Sequence, residues 1–294
     1  MVKTTTKRCH WVSQAYLRHF AADEGKRKVW RFSKNVGDPE LRRIDKVAVK
    51  FHLYAPLRAN GQRDDKLERK LSELERFFGD PVWKAISTGE VDLTWEPVRK
   101  LLALIVATTF ERNPTQFKTW KSMHAQFVEQ ISQFDSLPSH VAIGNVTRKV
   151  DQASWRSYRE ASEEDLKAAW NDNVAIAGGI GPVLLDMRMA IVVAKKPAFI
   201  TSDHPVTIVH PSLEFRGIRD PETKIIFPLS PTRLLYLDNR HNEPDGAYYA
   251  LSNDNPASAN YLVWRNAIDY MFSSRHPDEV SAEMLADAGG LCGY

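Results

Sequence analysis

The chain has 294 residues, of which 43% are hydrophobic and 26% are charged. A chain of this length and composition buries a sizeable core, which excludes the disordered and fibrous classes of protein. Forty Lys and Arg against 37 Asp and Glu give a net charge of +3, so the charge permits a nucleic-acid partner without requiring one.

Neither secretion nor a membrane location is predicted. The two cysteines, Cys9 and Cys292, lie near opposite ends of the chain and favour a reducing cytoplasm over a disulfide scaffold. The polar N-terminal residues are not followed by the apolar region of a signal peptide. The most apolar stretch, 101–109, is far shorter than the roughly 20 residues that cross a bilayer. We therefore expect a cytoplasmic protein with no membrane partner.

Apolar spacing predicts that the first 180 residues are mainly helical. Segment 10–22 has the spacing of a short helix, 28–33 alternates like a strand, and 44–54 indicates a strand or a pair of turns. Further helices are predicted from residue 66 to 78, around Trp83 and Ile86, from Thr94 to Arg112, and over 117–134 and 155–170. A loop around 138–145 separates the last two helices.

β-branched runs mark the second part of the chain. The runs 190–194, 206–209, 225–227 and 234–237 predict neighbouring antiparallel strands, and helices are predicted over 257–272 and 280–288. This order favours an α+β fold over regular βαβ alternation. We expect a mostly helical α+β protein with a small antiparallel sheet built largely from the C-terminal half. It forms one domain over 1–294, or two packed lobes in which 1–180 is mainly helical and 181–294 contains the strands.

Three polar residues are spaced four apart in the first predicted helix. His10, Gln14 and Arg18 would therefore share one helix face, where they combine an acid/base group, an amide and a cation. The alternative is that His10 caps the helix, while Gln14 and Arg18 bond to neighbouring backbone groups.

A second candidate group lies at the end of a predicted strand. Asp203 and His204 follow an apolar run and precede Pro205, which places a carboxylate where the chain turns. Such a carboxylate can orient or activate water. The alternative is an Asx-turn, because Asp is a common turn residue.

A third candidate group lies at the end of the long helix, where Arg112 and Asn113 precede a proline. Arg112 has the planar guanidinium that clamps a phosphate or a carboxylate. It can instead form an internal ion pair with Glu75 or Glu68 on another predicted helix.

The common cofactor motifs are missing from the sequence. No His-x-x-x-His, Cys-x-x-Cys or two-His-plus-carboxylate spacing predicts a metal, although a site assembled from His10, Asp203 and a distant Glu stays open. A GxxxxGK[ST] loop and a Gly-x-Ser-x-Gly elbow are also missing. Gly79-Asp80-Pro81 and His210-Pro211-Ser212 resemble loops of uracil-DNA glycosylases, but the first ends a charged helix instead of following a buried strand. We expect neither a cofactor nor a metal.

Longer segments resemble domain-of-unknown-function family 4238. The N-terminal motif is His10-Trp-Val-Ser-Gln14-Ala-Tyr16-Leu17-Arg18-His-Phe20. The other matching pieces are 29–32, the helix with Glu68 and Glu75, 111–114, 201–206, 227–230 and Asn266. The resemblance spans nearly the whole chain and implies a shared fold, but the family name gives no reaction. It also implies a sporadic accessory gene, which would suit bacterial defence against phage.

The favoured hypothesis is a nucleic-acid-directed hydrolase, and within that class a DNA glycosylase that excises a base without a metal. Base excision needs aromatic stacking surfaces, a group that places water, and cations for the phosphates. The candidate catalytic residues are Asp203 to orient water, His10 as the partner of the leaving base, and Gln14. The candidate substrate-binding residues are Tyr16, Arg18, Glu75, Arg112, Asn113, His204 and Asn266. The candidate stacking surfaces are Trp11, Tyr16, Trp30 and Trp83.

Two other functions stay open. A nuclease would hold Mg²⁺ with Asp203 and Glu75 and would activate water with His10 or a lysine. A binding or sensor module would use the polar residues to recognise a ligand or a partner. The sequence leaves the oligomeric state undetermined.

Overall fold

The computed structural model describes residues 8–35, 37–79, 81–134, 136–143, 146–214 and 216–291; Asp80, 144–145 and Cys292 lie outside them. The helices are α1 (Gln14–Leu17), α2 (Lys66–Glu75), α3 (Pro81–Thr88), α4 (Glu96–Glu111), α5 (Pro114–Ser132), α6 (Gln152–Arg159), α7 (Glu163–Ile176), α8 (Gly181–Asp186), α9 (Ala257–Asn266) and α10 (Pro277–Leu291). The strands are β1 (Arg8–His10), β2 (Lys28–Ser33), β3 (Glu40–Arg43), β4 (Val49–Phe51), β5 (His140–Ile143), β6 (Val146–Lys149), β7 (Arg188–Val193), β8 (Thr201–Ser202), β9 (Thr207–Val209), β10 (Lys224–Ser230), β11 (Arg233–Asp238), β12 (Tyr248–Ala250) and β13 (Tyr270–Ser273).

The larger sheet has five strands in the order β12-β7-β11-β10-β9. Four of its strands, β7, β11, β10 and β9, are antiparallel neighbours. These strands contain the β-branched runs, so the prediction that those runs form neighbouring antiparallel strands is confirmed. Strand β12 joins β7 in parallel. Nearly every residue of β10 and β11 is buried, because both faces of the sheet are covered and the apolar runs are nearly continuous.

A second sheet joins the two ends of the chain. Its order is β3-β2-β13-β8, so the N-terminal strand β2 pairs with β3 on one side and with β13, from beyond residue 200, on the other. The chain is α+β, but the predicted mostly helical composition and the small sheet from the C-terminal half are wrong. Helices make up 44% of the described residues and strands 20%, in sheets of up to five strands. The prediction failed because short strands whose partners lie more than 200 residues away in the sequence carry little recognisable pattern of their own.

Two predicted helices are shorter than their apolar spacing indicates. The segment 155–170 divides into α6 and α7, because Ser162 and Asp165 form a capping box that starts a new helix. The segment 257–272 is helical only to Asn266 and then forms β13. The predicted loop around 138–145 includes β5, which pairs with β6.

The largest core cluster draws side chains from both halves of the chain. Tyr16, Trp83 and Leu102 pack in it with Ile191 and Phe227 of the five-stranded sheet. A second cluster packs the four-stranded sheet and helices α9 and α10 against Ile226 and Leu234 of the five-stranded sheet. No helix in the described ranges is long and apolar enough to cross a membrane.

Candidate functional site

The N-terminal motif forms a strand followed by a short helix. Residues of β1 pair antiparallel with β4, and α1 begins only at Gln14, where the Ser13 hydroxyl accepts the first N–H groups of the helix. His10 therefore lies on a strand, Gln14 in the first helical turn, and Arg18 in an exposed 3-10 turn. The prediction that these three residues share one helix face is wrong, because the chain turns between His10 and Gln14.

The His10 imidazole is half-buried and held in one orientation. Its Nδ1 lies 3.1 Å from the carbonyl oxygen of Val47, which can only accept, so Nδ1 carries the proton and Nε2 is the acceptor nitrogen. Burial lowers the pKa of His10, and the positive charges of Arg8 and Arg112 lower it further, whereas the hydrogen bond to Val47 and the charge of Glu75 act in the opposite direction. An uncharged imidazole with an acceptor nitrogen has the properties of a general base at neutral pH.

Arg112 fixes the position of His10 through its buried guanidinium. Nη1 donates to Glu75 Oε1 at 2.9 Å, and Nη2 donates to the carbonyl oxygen of His10. The Tyr54 hydroxyl donates to the carbonyl oxygen of Arg112 at 2.6 Å. The structure thus contains the internal ion pair, which was the predicted alternative to a phosphate clamp. Through this pair and the bond to His10, Arg112 connects α4 to α2 and β1.

Two further ionisable groups lie beside this ion pair. Glu68 is two turns before Glu75 on α2, and burial raises the pKa of its carboxyl, with Arg112 opposing and Glu75 adding to the shift. Burial also raises the pKa of the Cys9 thiol, which is fully buried next to His10 in the chain. From the sequence, Glu68 was predicted only as a possible partner of Arg112, and Cys9 was given no role at the site. The seven-residue spacing of Glu68 and Glu75 on one predicted helix was the available signal for Glu68.

The Asp203 carboxylate is buried and bound to backbone. Oδ1 accepts the N–H of Ile268 at 2.8 Å, and Oδ2 accepts those of Asp269 and Tyr270 at 2.9 and 3.0 Å. Burial raises the pKa of Asp203, while these three donors act in the opposite direction. The contacts give Asp203 a positioning role at the start of β13, and its predicted role in water activation stays a prediction.

The remaining predicted residues meet around the backbone of 203–206. The carbonyl oxygen of Asp203 accepts from Trp11 Nε1 and from Asn113 Nδ2, both at 2.9 Å. Asn266 Nδ2 donates to the carbonyl oxygens of His204 and Val206 at 2.9 and 3.0 Å. Distant parts of the chain therefore meet in one hydrogen-bonded region. They are the motifs around 10–18, 111–114 and 201–206, together with Asn266.

His204 lies inside this region with one nitrogen unsatisfied. Nδ1 is 3.4 Å from the carbonyl oxygen of Asn266, whereas Nε2 is buried and has no hydrogen-bond partner in the described chain. The ring lies 5.8 Å from that of Phe110. Burial lowers the pKa of His204, which keeps the imidazole neutral.

We expect the protein to lose stability in mild acid. Burial lowers the folded-state pKa values of His10, His19 and His204 below the unfolded value of 6.5, so the unfolded chain binds protons more tightly. Their contribution to stability is complete above pH 6.5 and is lost as the pH falls towards the folded values. The carboxyls of Glu68 and Asp203, whose pKa values burial raises, oppose this loss. Tm measured from pH 8 to pH 5 should fall in the wild type, and His204→Phe should make the fall less steep.

The control for this titration is His241→Gln, because His241 is exposed. This variant should keep the wild-type slope of Tm against pH. A wild-type slope in His204→Phe would show that protonation of His204 does not oppose folding.

Two of the four predicted stacking surfaces, Tyr16 and Trp83, belong to the interior, and Trp11 and Trp30 are partly buried. Tyr16 is buried and donates its hydroxyl hydrogen to the carbonyl oxygen of Pro228 at 2.7 Å. Trp83 is also fully buried, and the Trp30 ring packs on His276 with ring centres 4.5 Å apart. Phe51 of β4 is instead an exposed aromatic ring near His10. Phe51 was not among the predicted stacking surfaces, although the alternation of Val49, Lys50 and Phe51 is typical of a strand with one apolar face.

In the described ranges, no group of three or more His, Cys, Asp and Glu side chains is placed to hold a metal ion. Residues 8–277 match the family described as "Protein of unknown function (DUF4238)", and this range contains every site residue discussed above. No curated protein and no solved structure matches the chain. Since the match covers most of its length, the chain belongs to the DUF4238 family.

Proposed function

We propose that the chain is a nucleic-acid-directed hydrolase, and within that class a DNA glycosylase that removes a base without a metal. The supporting observation is one face of the two-stranded ribbon β1–β4, where Arg8 and His10 are partly buried and Phe51 is exposed. It presents a cation, a neutral imidazole and an aromatic ring beside the Glu75–Arg112 ion pair. These groups match the needs of base excision for phosphate binding, proton transfer and stacking.

Strand register places these groups on one face. Arg8 lies opposite Phe51, and His10 lies opposite Val49. Directly opposite residues of an antiparallel pair project to the same side, and so do residues two apart on one strand. Cys9, between Arg8 and His10, projects to the other side and is buried. Phe51 is 65% exposed, so its ring is available to stack on a base.

The proposed chemistry is hydrolysis of the bond between the sugar C1′ and the base. A water molecule attacks C1′ and gives one proton to Nε2 of His10, as the C1′–base bond breaks and its electron pair leaves with the base. The protonated His10 then gives this proton to the released base, directly or through water, which restores the neutral imidazole. The free oxygen of Glu75 is the second candidate for orienting the water, because only Oε1 of this carboxylate pairs with Arg112 in the described chain. Arg8 and the exposed Arg18 supply positive charge for phosphates.

The test uses purified protein on normal and phage-modified DNA, with EDTA and separately with Mg²⁺, and compares strand breaks before and after alkali. Phage-modified DNA is tested because we also propose a role in defence against phage. Breaks that appear only after alkali, and in EDTA, would support base excision. Direct breaks that require Mg²⁺ would favour the nuclease, and intact DNA throughout would favour a binding or sensor module.

His10→Asn is expected to lower the rate of base release by about 10²–10⁴-fold with little loss of stability. The asparagine amide can still donate to the carbonyl oxygen of Val47, but the acceptor nitrogen is gone. His19→Gln is the matched control, since its amide can replace the donor to the Phe78 carbonyl outside the site. Wild-type rates in His10→Asn would exclude His10 as the base, whatever the reaction.

A further inference from the structure

A cavity of about 240 Å³ lies beside the free edge of the five-stranded sheet. Strand β9 is the last strand of this sheet, so one side of its backbone has no strand neighbour within the described ranges. The opposite wall is the C-terminal end of α9, with Leu262, Arg265 and Asn266. The loop after β9, including Leu213 and Arg216, closes the cavity. His10, Glu75 and Arg112 do not line it.

The walls combine apolar surface with hydrogen-bonding groups. Val209, Leu213 and Leu262 supply apolar contacts, and Asn266 and Thr207 supply polar ones. Thr207 is only 2% exposed, and its Oγ1 has no hydrogen-bond partner in the described chain. A buried hydroxyl without a partner costs about 1–3 kcal/mol, so it indicates a place where a bound molecule completes the hydrogen bonding.

Two arginines lie at the rim of the cavity. Arg265 is exposed, and its hydrogen bond is a long one of 3.4 Å from Nη2 to the carbonyl oxygen of Leu213. Arg216 pairs with Glu214 at 2.7 Å. His210 also lines the cavity, with Nε2 3.3 Å from Asp220 Oδ1, so carboxylates as well as arginines lie near the rim. Arg265 is the rim cation that forms no ion pair in the described chain. Guanidinium groups at the mouth of a partly apolar cavity favour a ligand with a small ring system and an anionic group.

We propose that this cavity binds a single nucleotide. The heterocycle lies between the apolar walls, with its donors and acceptors facing Thr207, Asn266 and the free edge of β9, and the phosphate lies at Arg265 and Arg216. At about 240 Å³ the cavity is smaller than the roughly 300–1,000 Å³ of pockets that enclose drug-sized molecules, so it holds the heterocycle while the phosphate stays at the arginines of the rim. This binding site is separate from the proposed hydrolytic site at His10 and does not depend on it.

Calorimetric titration of the full chain tests the proposal with deoxynucleoside 5′-monophosphates, the matching nucleosides and inorganic phosphate. At least one monophosphate should bind, roughly tenfold more tightly than its nucleoside, because the nucleoside lacks the charge-assisted bonds to arginine. Inorganic phosphate should bind more weakly still. Absence of monophosphate binding at millimolar concentration, or equal affinity for inorganic phosphate, would overturn the assignment.

Variants locate the site. Arg265→Ala should weaken monophosphate binding roughly tenfold and leave nucleoside binding unchanged. Arg219→Ala is the control, since this exposed arginine pairs with Asp186 and does not line the cavity. Thr207→Val keeps the shape of the side chain without the hydroxyl; it should weaken nucleoside binding while Tm stays equal or rises. Wild-type binding in both Arg265→Ala and Thr207→Val would place any nucleotide site elsewhere.

Discussion

Arg112→Met is expected to lower the free energy of unfolding by about 3–5 kcal/mol, because it removes one partner of a buried ion pair. Methionine fills much of the space of arginine, but Glu75 loses the guanidinium that neutralises it. The carbonyl oxygen of His10 also loses a donor. The loss is a large share of the roughly 5–15 kcal/mol that stabilises a typical folded protein. Urea unfolding followed by circular dichroism measures it.

The matched control is Arg69→Ala, an exposed arginine on α2 that pairs with Asp65. This change should cost at most about 0.5 kcal/mol, because surface pairs contribute little. The double variant Arg112→Met with Glu75→Gln should recover part of the stability, since it removes the unpaired charge. A loss below about 1 kcal/mol in Arg112→Met would mean that the ion pair does not hold α4, α2 and β1 together.

The sequence predicts those elements whose residues carry a local pattern. Strand β2 is found where its alternation places it, and β7, β10 and β11 are found because long β-branched runs are buried on both faces. The N-terminal segment misled the prediction, because Tyr16, Leu17 and Phe20 have helical spacing although only four residues form α1. Strand β1 has three residues, and its partner lies some 40 residues away.

The residues of the candidate site were likewise predictable where they lie on strongly patterned elements, and not where their partners are distant in the sequence. The sequence selected Arg112 and Glu75 as a possible pair, because both lie on strongly patterned helices. It did not connect Asp203 to the N–H groups of 268–270, since the segments are about 65 residues apart and the predicted helix runs through 268. It also missed Phe51, because the exposure of a side chain on a three-residue strand depends on the neighbouring elements.

Asp203→Ala is expected to destabilise the fold by about 3–5 kcal/mol, because three backbone N–H groups lose a buried acceptor at once. These groups belong to the segment that turns from α9 into β13, so the turn and the pairing of β13 with β8 should loosen. Hydrogen exchange at Ile268, Asp269 and Tyr270 should accelerate more than exchange in β10. Urea unfolding gives the total loss, and Asp269→Asn, an exposed neighbour, should change stability by at most about 0.5 kcal/mol.

The same variant separates a positioning role of Asp203 from a catalytic one. If Asp203 positions the turn, any hydrolytic activity should fall in Asp203→Ala only as far as folded protein is lost, and the activity per folded molecule should stay within about tenfold of wild type. Asp203→Asn, which keeps one acceptor oxygen, should be intermediate in stability. An Asp203→Asn protein that is as stable as wild type but more than roughly a hundredfold slower would instead make Asp203 the group that activates water, and His10 would lose that role.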